Sequence, residues 1–293
     1  MLKNLHDWGL LASKYPLFLL LITTSNFQIF NTMKKVTLVL ALALVALLFA
    51  SCKKENKIEQ QIIGKWITTD VDGHAELTNN KSVITFLSPT QAVISTSRAN
   101  LSENQGWASH LNASVVLDGN KVTLSFQPNA HITIIYDITV RSITDTNMEG
   151  TFMHNTLRDG EVISTNGPME MRWVKVNADY QQAVIGLWEC TELTGIETYN
   201  DANARLEFFD DGTYNYWRKN DAGEWEAVTD REFQEYFVDG ILLATRWKVI
   251  GEPELREWWE IASIADNQMV WTAQRKNADG TTVQQGMKWV KVN

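Results

Sequence analysis

Ile62-Ile63-Gly64-Lys65-Trp66 and Val184-Ile185-Gly186-Leu187-Trp188 open two segments of this chain in nearly the same words. The two segments also close alike, on Arg172-Trp173-Val174-Lys175-Val176-Asn177 and on Lys288-Trp289-Val290-Lys291-Val292-Asn293. A unit of about 115 residues therefore occurs twice. Solenoid repeats run to roughly 20–50 residues, so this unit has the size of a whole small domain. Its interior repeats as well. Ser82-Val83-Ile84-Thr85-Phe86 lies opposite Ala204-Arg205-Leu206-Glu207-Phe208 at an offset of 122 residues, and Ile143, Asp145 and Met148 match Ile264, Asp266 and Met269 at 121. The closing Trp173 and Trp289 are 116 apart. A slow drift in offset places small insertions in loops, where chains tolerate them best.

Within each unit the hydrophobic period is two. Ile132, Ile134, Tyr136, Ile138 and Val140 fall on one face, with His131, Thr133, Asp137, Thr139 and Arg141 on the other. In the second copy Leu243, Thr245, Trp247 and Val249 alternate with Ala244, Arg246 and Lys248. This is the pattern of half-buried antiparallel strands. Turn signals punctuate the runs at Asp118-Gly119-Asn120, Asp210-Asp211-Gly212, Asp221-Ala222-Gly223 and Asp279-Gly280. Only Lys57–Gln61 and Asp179–Val184, just ahead of each Gly-x-Trp, suggest a helical turn. About eight strands per copy are expected, and an open sheet of that size exposes two edges. Closure into a barrel removes them. The expected fold is all-β: two tandem antiparallel up-and-down β-barrels of about eight strands each.

Gly-x-Trp at the start of the first strand, after a short helical turn, resembles the lipocalin and wider calycin barrels. The resemblance implies that Trp66 and Trp188 close the barrel bottom under a basic residue of the last strand. Arg172 or Lys175, and Lys288 or Lys291, are the candidates for that residue. The closing Trp173 and Trp289 lie outside the general family pattern. Because first and last strands are neighbours in such a barrel, Trp66 is expected near Trp173, and Trp188 near Trp289, as two barrel seams.

The front of the chain reads as an address. Met33-Lys34-Lys35, an apolar run over 36–50 and Ala50-Ser51-Cys52 form a signal peptide. The apolar run is short for a membrane span, which needs about 20 residues. Phe49-Ala50-Ser51-Cys52 resembles the lipobox of bacterial lipoproteins, with Phe49 in place of the usual Leu. The resemblance implies lipidation of Cys52, which would attach the chain to a membrane. Lys53, where inner-membrane lipoproteins tend to carry Asp, points to the outer membrane of the cell envelope, on its periplasmic or its surface face. The chain thus divides into residues 1–32, an upstream artefact of start-site choice; the signal peptide, 33–51; a lipidated tether, 52–60; barrel one, 61–177; a linker, 178–183; and barrel two, 184–293.

The formal charge is −9, from 26 basic and 35 acidic residues. Residues 184–293 carry about −9 of it and residues 61–177 about −3. That balance argues against nucleic-acid binding, which needs basic groups to replace counterions. Two cysteines would ordinarily suggest a disulfide. With Cys52 assigned to the lipid, Cys190 is left as a buried, inert thiol on the same face as Trp188. No His-x-x-x-His pair occurs, and Asp70-x-Asp72-Gly73 lacks the remaining ligands of a calcium loop. No metal, cofactor or catalytic residue is expected. Gly-x-Ser-x-Gly, P-loop and zincin patterns are absent from the sequence.

Tryptophan is the unusual residue. Of 12, eight fall in the second copy: Trp188, Trp217, Trp225, Trp247, Trp258, Trp259, Trp271 and Trp289. Most should fill a core or plug a barrel end. Trp247, Trp259 and Trp271 fall on consecutive strands, however, and could share a lumen with Tyr216. These four are the candidate ligand-binding residues, while Arg246, one residue out of phase, should face outward. The leading expectation is a non-catalytic binding module for a small apolar or amphipathic ligand or a glycan. The alternative is a structural lipoprotein with side-chain-filled barrels that meets a protein partner through the acidic second copy. An enzyme is disfavoured for want of a catalytic constellation.

Overall fold

The computed structural model describes residues 57–96, 109–196 and 203–292. Residues 1–32, the expected signal peptide and Cys52, the expected lipidation site, lie outside them. Residues Lys57–Asn293 belong to one compact unit that holds both copies.

The first copy begins with a helical turn, α1 (Lys57–Gln61), followed by β1 (Gly64–Val71) and the two-residue β2 (His74–Ala75). After a 3-10 turn (Thr78–Asn80) come β3 (Ser82–Ser88), β4 (Gln91–Thr96), β5 (Leu111–Asp118) and β6 (Lys121–Asn129). The copy ends with β7 (Ile132–Ile143), β8 (Asn147–Arg158) and β9 (Glu161–Val176). Each long strand pairs antiparallel with the next, and β9 returns to β1, so the sheet closes as an up-and-down barrel. Alternation drives this closure. On β7, Ile132, Ile134, Tyr136, Ile138 and Val140 are all buried, and the residues between them are more exposed. The lumen packs Phe126, Tyr136, Phe152 and Trp173 edge to face, with centroids 4.9–6.5 Å apart.

The second copy comprises β10 (Gly186–Thr194), β11 (Ala204–Phe208), β12 (Tyr214–Lys219), β13 (Trp225–Ala227) and β14 (Arg231–Asp239). It continues with β15 (Leu242–Val249), β16 (Glu254–Ala265), β17 (Gln268–Lys276) and β18 (Thr282–Lys291). Its strand order is β13-β12-β11-β10-β18-β17-β16-β15-β14. The order matches the first copy, yet the expected full closure is not reached. The sheet is a curled half-barrel whose edges meet at one isolated bridge, Thr213↔Glu235.

Register explains the difference. Gly64↔Phe86 and Gly186↔Phe208 are equivalent rungs, as are Ala113↔Phe126 and Gln234↔Trp247. On that correspondence, Thr213↔Glu235 is the counterpart of Gln91↔Ser114, the first rung of the β4–β5 ladder. The next first-copy rung joins Ala92 to Ala113, both small and buried. Its second-copy equivalents are Tyr214 and Gln234, too bulky to meet across a tight seam. The edge of β12 is instead taken by its hairpin partner β13, through Trp217↔Ala227, Arg218↔Glu226 and Lys219↔Trp225.

The two copies share an interface. Ile67 and Val83, outside the first barrel, are buried with Leu242 of β15. Asp239 is 2% exposed and accepts from Lys65 Nζ at 2.6 Å and Ser95 Oγ at 2.6 Å. Burial disfavours the charged form of Lys65, but its hydrogen bonds to Asp239 and to Asp179 of the linker prevail and raise its pKa. Thr78 is fully buried; its Oγ1 donates to Glu260 on β16 and accepts from the backbone N–H of Gln274 on β17.

Candidate functional site

Both Gly-x-Trp motifs build the same device. Trp66 donates its indole N–H to the Ile62 carbonyl at 2.7 Å, and Trp188 donates to Val184 at 2.7 Å. These are carbonyls of the helical turns that precede β1 and β10. Lys175 Nζ stands 5.2 Å from the Trp66 ring centroid, and Lys291 Nζ stands 5.2 Å from that of Trp188. Of the basic candidates, Lys175 and Lys291 therefore hold this position. The glycine makes room: Gly64 and Gly186 adopt φ of 122° and 123°, and a Cβ at either would press on the lysine Cε. Trp173 pairs with Thr68 and Trp289 with Cys190, so each closing Trp lies one step along the seam from its opening Trp.

The second lumen is not filled. A cavity of about 460 Å³ lies within it, lined by Tyr216, Trp247, Trp259 and Trp271, the four ligand candidates. Small-molecule sites range over about 300–1,000 Å³. The floor is aromatic, with Trp271 4.7 Å from Trp289 and 5.8 Å from Trp259, centroid to centroid. Trp289 thus contributes to the cavity wall as well as to the seam. The indole N–H groups of Trp271 and Trp289 are buried without a hydrogen-bond partner, a cost of about 1–3 kcal/mol each.

Aligned rungs show how the cavity arises. Phe152 pairs with Ile138, and its second-copy counterpart is Ala273. Leu124↔Tyr136 becomes Thr245↔Glu257, and Phe126↔Ile134 becomes Trp247↔Leu255. Two rings are lost, at Ala273 and Glu257, and two lumen positions turn polar, at Thr245 and Glu257, while Gly150, which pairs with Val140, is answered by Trp271, which pairs with Ile261. The β16–β17 ladder also stops at Glu260↔Thr272, whereas β7–β8 runs on to Ile132↔Arg158. Thr78 bonds to both strands at that break.

Sequence reasoning missed Tyr214, Arg231, Gln234 and Glu257, which also line the cavity. The readable signal was the copy-to-copy comparison along each strand, which marks where apolar residues of the first copy become polar. Burial, reinforced by the charge of Glu257 and opposed by that of Arg231, raises the Tyr214 pKa. The Cys190 thiol lies in the wall and is pushed up to about 11 by burial. Such a thiol stays protonated and is a poor nucleophile. Arg246 pairs outside the lumen with Glu235 at 2.5 Å. Asp70 and Asp72 cap a turn, accepting from the backbone N–H groups of Gly73 and Glu170. No cluster of three or more metal-ligating side chains occurs among the described residues.

No family model matches the chain. No curated protein matches it. Among solved structures, a candidate outer membrane protein from Bacteroides fragilis NCTC 9343 aligns over 80% of this chain and 99% of its own, at 10% identity and a TM-score of 0.20. A candidate thioesterase II from Thermobifida fusca YX aligns over 55% of this chain and 73% of its own, at 10% identity and a TM-score of 0.11. At such scores neither similarity bears on function.

Proposed function

We propose that this chain is a non-catalytic, lipid-anchored protein of the bacterial cell envelope whose second barrel binds a small apolar or amphipathic molecule. The observation that carries the reading is the cavity of about 460 Å³ in the second copy, walled by four tryptophans and two tyrosines. Tryptophan offers a large apolar face with one donor, which suits such pockets. The first barrel, with its lumen packed by aromatic side chains, serves as the platform on which the second is mounted. The signal peptide and the lipobox-like Phe49-Ala50-Ser51-Cys52 support attachment at the outer membrane.

Titration of intrinsic tryptophan fluorescence with fatty acids, retinoid-like probes and oligosaccharides tests the binding reading. Apolar or amphipathic probes should shift the emission, and Trp247→Ala should lower their affinity. A response to oligosaccharides alone would replace the ligand class with a glycan, and silence with every class would leave a structural lipoprotein. The anchor has a separate test: Cys52→Ser should move the protein from the membrane fraction to the soluble one.

A further inference from the structure

The cavity wall holds two charged side chains, Glu257 and Arg231. Arg231 has Asp230 at 3.5 Å. A third charge, Arg275, is engaged behind Trp259: its guanidinium lies 4.9 Å from that ring's centroid and donates to the Trp258 carbonyl. Glu257 is different. It accepts one hydrogen bond, from the Trp259 indole at 3.3 Å, and Arg275, held behind that ring, acts on it through its field rather than in direct contact. The equivalent residue of the first copy is Tyr136, packed against Phe126 and Phe152 at 5.1 and 4.9 Å. A carboxylate with no direct ion pair has therefore replaced a ring and stands among the faces of other rings. Beside it the lumen has an apolar lip: Leu255 is 50% exposed and pairs with Trp247, whereas their counterparts Ile134 and Phe126 are 3% and 2% exposed.

We infer that the cavity takes an amphipathic organic cation, with its ammonium group against Glu257 and the surrounding rings and its apolar body along the Trp247–Leu255 lip. Ring faces attract cations through their quadrupole, most strongly when desolvated. A carboxylate in the same wall adds a full opposite charge. The charge of about −9 over residues 184–293 draws cations toward this barrel. Arg231 is the opposing feature, because an anionic headgroup would choose it. The inference rests on the proposed binding function and narrows its ligand class.

Three probes with one tail separate the possibilities: dodecyltrimethylammonium, dodecyl maltoside and dodecanoate, each titrated below its micelle concentration and followed by tryptophan fluorescence. The cation should bind about tenfold more tightly than the maltoside, and Glu257→Gln should shrink that cation-to-maltoside ratio by about the same factor. Arg231→Gln should tighten the cation further. Equal affinity for all three, or preference for dodecanoate, would overturn the cationic headgroup and leave the binding function standing. No binding by any of the three would overturn that function as well.

Discussion

Replacing Gly186 by alanine probes why each copy opens on Gly-x-Trp. Gly186 has φ of 123°, and an added Cβ would sit 2.9 Å from Lys291 Cε. A residue forced into such a sparsely populated region costs about 1–3 kcal/mol. Lys291 must also move, and it is held 5.2 Å from the Trp188 centroid while donating to Ile185 O at 3.1 Å. Losing the cation–π contact costs about 0.5–1 kcal/mol, and losing the hydrogen bond costs about 1 kcal/mol. The expected destabilisation is about 3–4 kcal/mol from these terms together. Gly73 supplies the control. It also has a positive φ, of 80°, but nothing lies within 4 Å of its Cβ position, so Gly73→Ala should cost only the left-handed backbone penalty of about 1–2 kcal/mol. Urea unfolding followed by fluorescence gives both values, compared at matched slopes. Repeating Gly186→Ala in a Lys291→Ala background should reduce its cost to the backbone part, since contacting residues couple. The reasoning fails if Gly186→Ala costs no more than Gly73→Ala, or if removing Lys291 does not lessen the penalty.

Thr78→Val should destabilise the protein by about 1–3 kcal/mol, because it leaves the Gln274 N–H without its partner in a buried site; unfolding titrations of this variant against wild type measure it. Cys190 should react with iodoacetamide at pH 8 about a hundredfold more slowly than an unperturbed thiol, since its pKa of about 11, against 9.0 for an unburied cysteine, cuts the thiolate fraction by that factor. Urea should restore the ordinary rate. The same shift fixes a pH trend: the folded state holds the Cys190 proton more tightly, so its contribution to stability is whole below pH 9 and is lost as pH rises through about 11. Lys65, also raised, acts in the same direction, and a midpoint that climbed with pH above 9 would contradict both.

The architecture was legible because its signals are local and doubled. Strand alternation on β7 and β15, turn residues between paired strands, and two Gly-x-Trp openings each point to the same sheet order. Tyr216, Trp247, Trp259 and Trp271 could be grouped because period two assigns each to a face without any knowledge of partners. The opening between β12 and β14 was hidden because it depends on which residues meet across the seam. Tyr214 and Gln234 are ordinary strand residues until Ala92 and Ala113 are known to oppose each other. Glu257 was hidden for a similar reason. A carboxylate in a strand reads as solvent-facing until its rung shows that it occupies the place of Tyr136. The contacts of Thr78 with Glu260 and Gln274 join residues far apart in sequence and carry no pattern that a single chain displays.

The two copies keep the same seam and part company in the lumen, and the pattern of change indicates which of them was released from packing. A lumen needed only for stability favours rings in contact, as in the Phe126–Tyr136–Phe152 cluster, because voids forfeit dispersion and hydrophobic contact. The second copy gives up two of those rings, at Ala273 and Glu257, and places Glu257, Gln234 and Thr245 where apolar or aromatic residues would stabilise it more. It also carries unpartnered indole donors in Trp271 and Trp289. Each change lowers the stability of an isolated barrel. Their concentration in one lumen, opposite an intact hydrogen-bonded seam at Trp188 and Lys291, is the distribution expected of a site rather than of gradual decay. Decay would fall on seam and lumen alike. The interface with the first barrel offsets part of the loss, since Thr78 satisfies the backbone where the β16–β17 ladder ends and Asp239 is held by Lys65 and Ser95. Duplication thus gives one barrel the means to stay open: its neighbour supplies the packing and hydrogen bonds that an open lumen lacks.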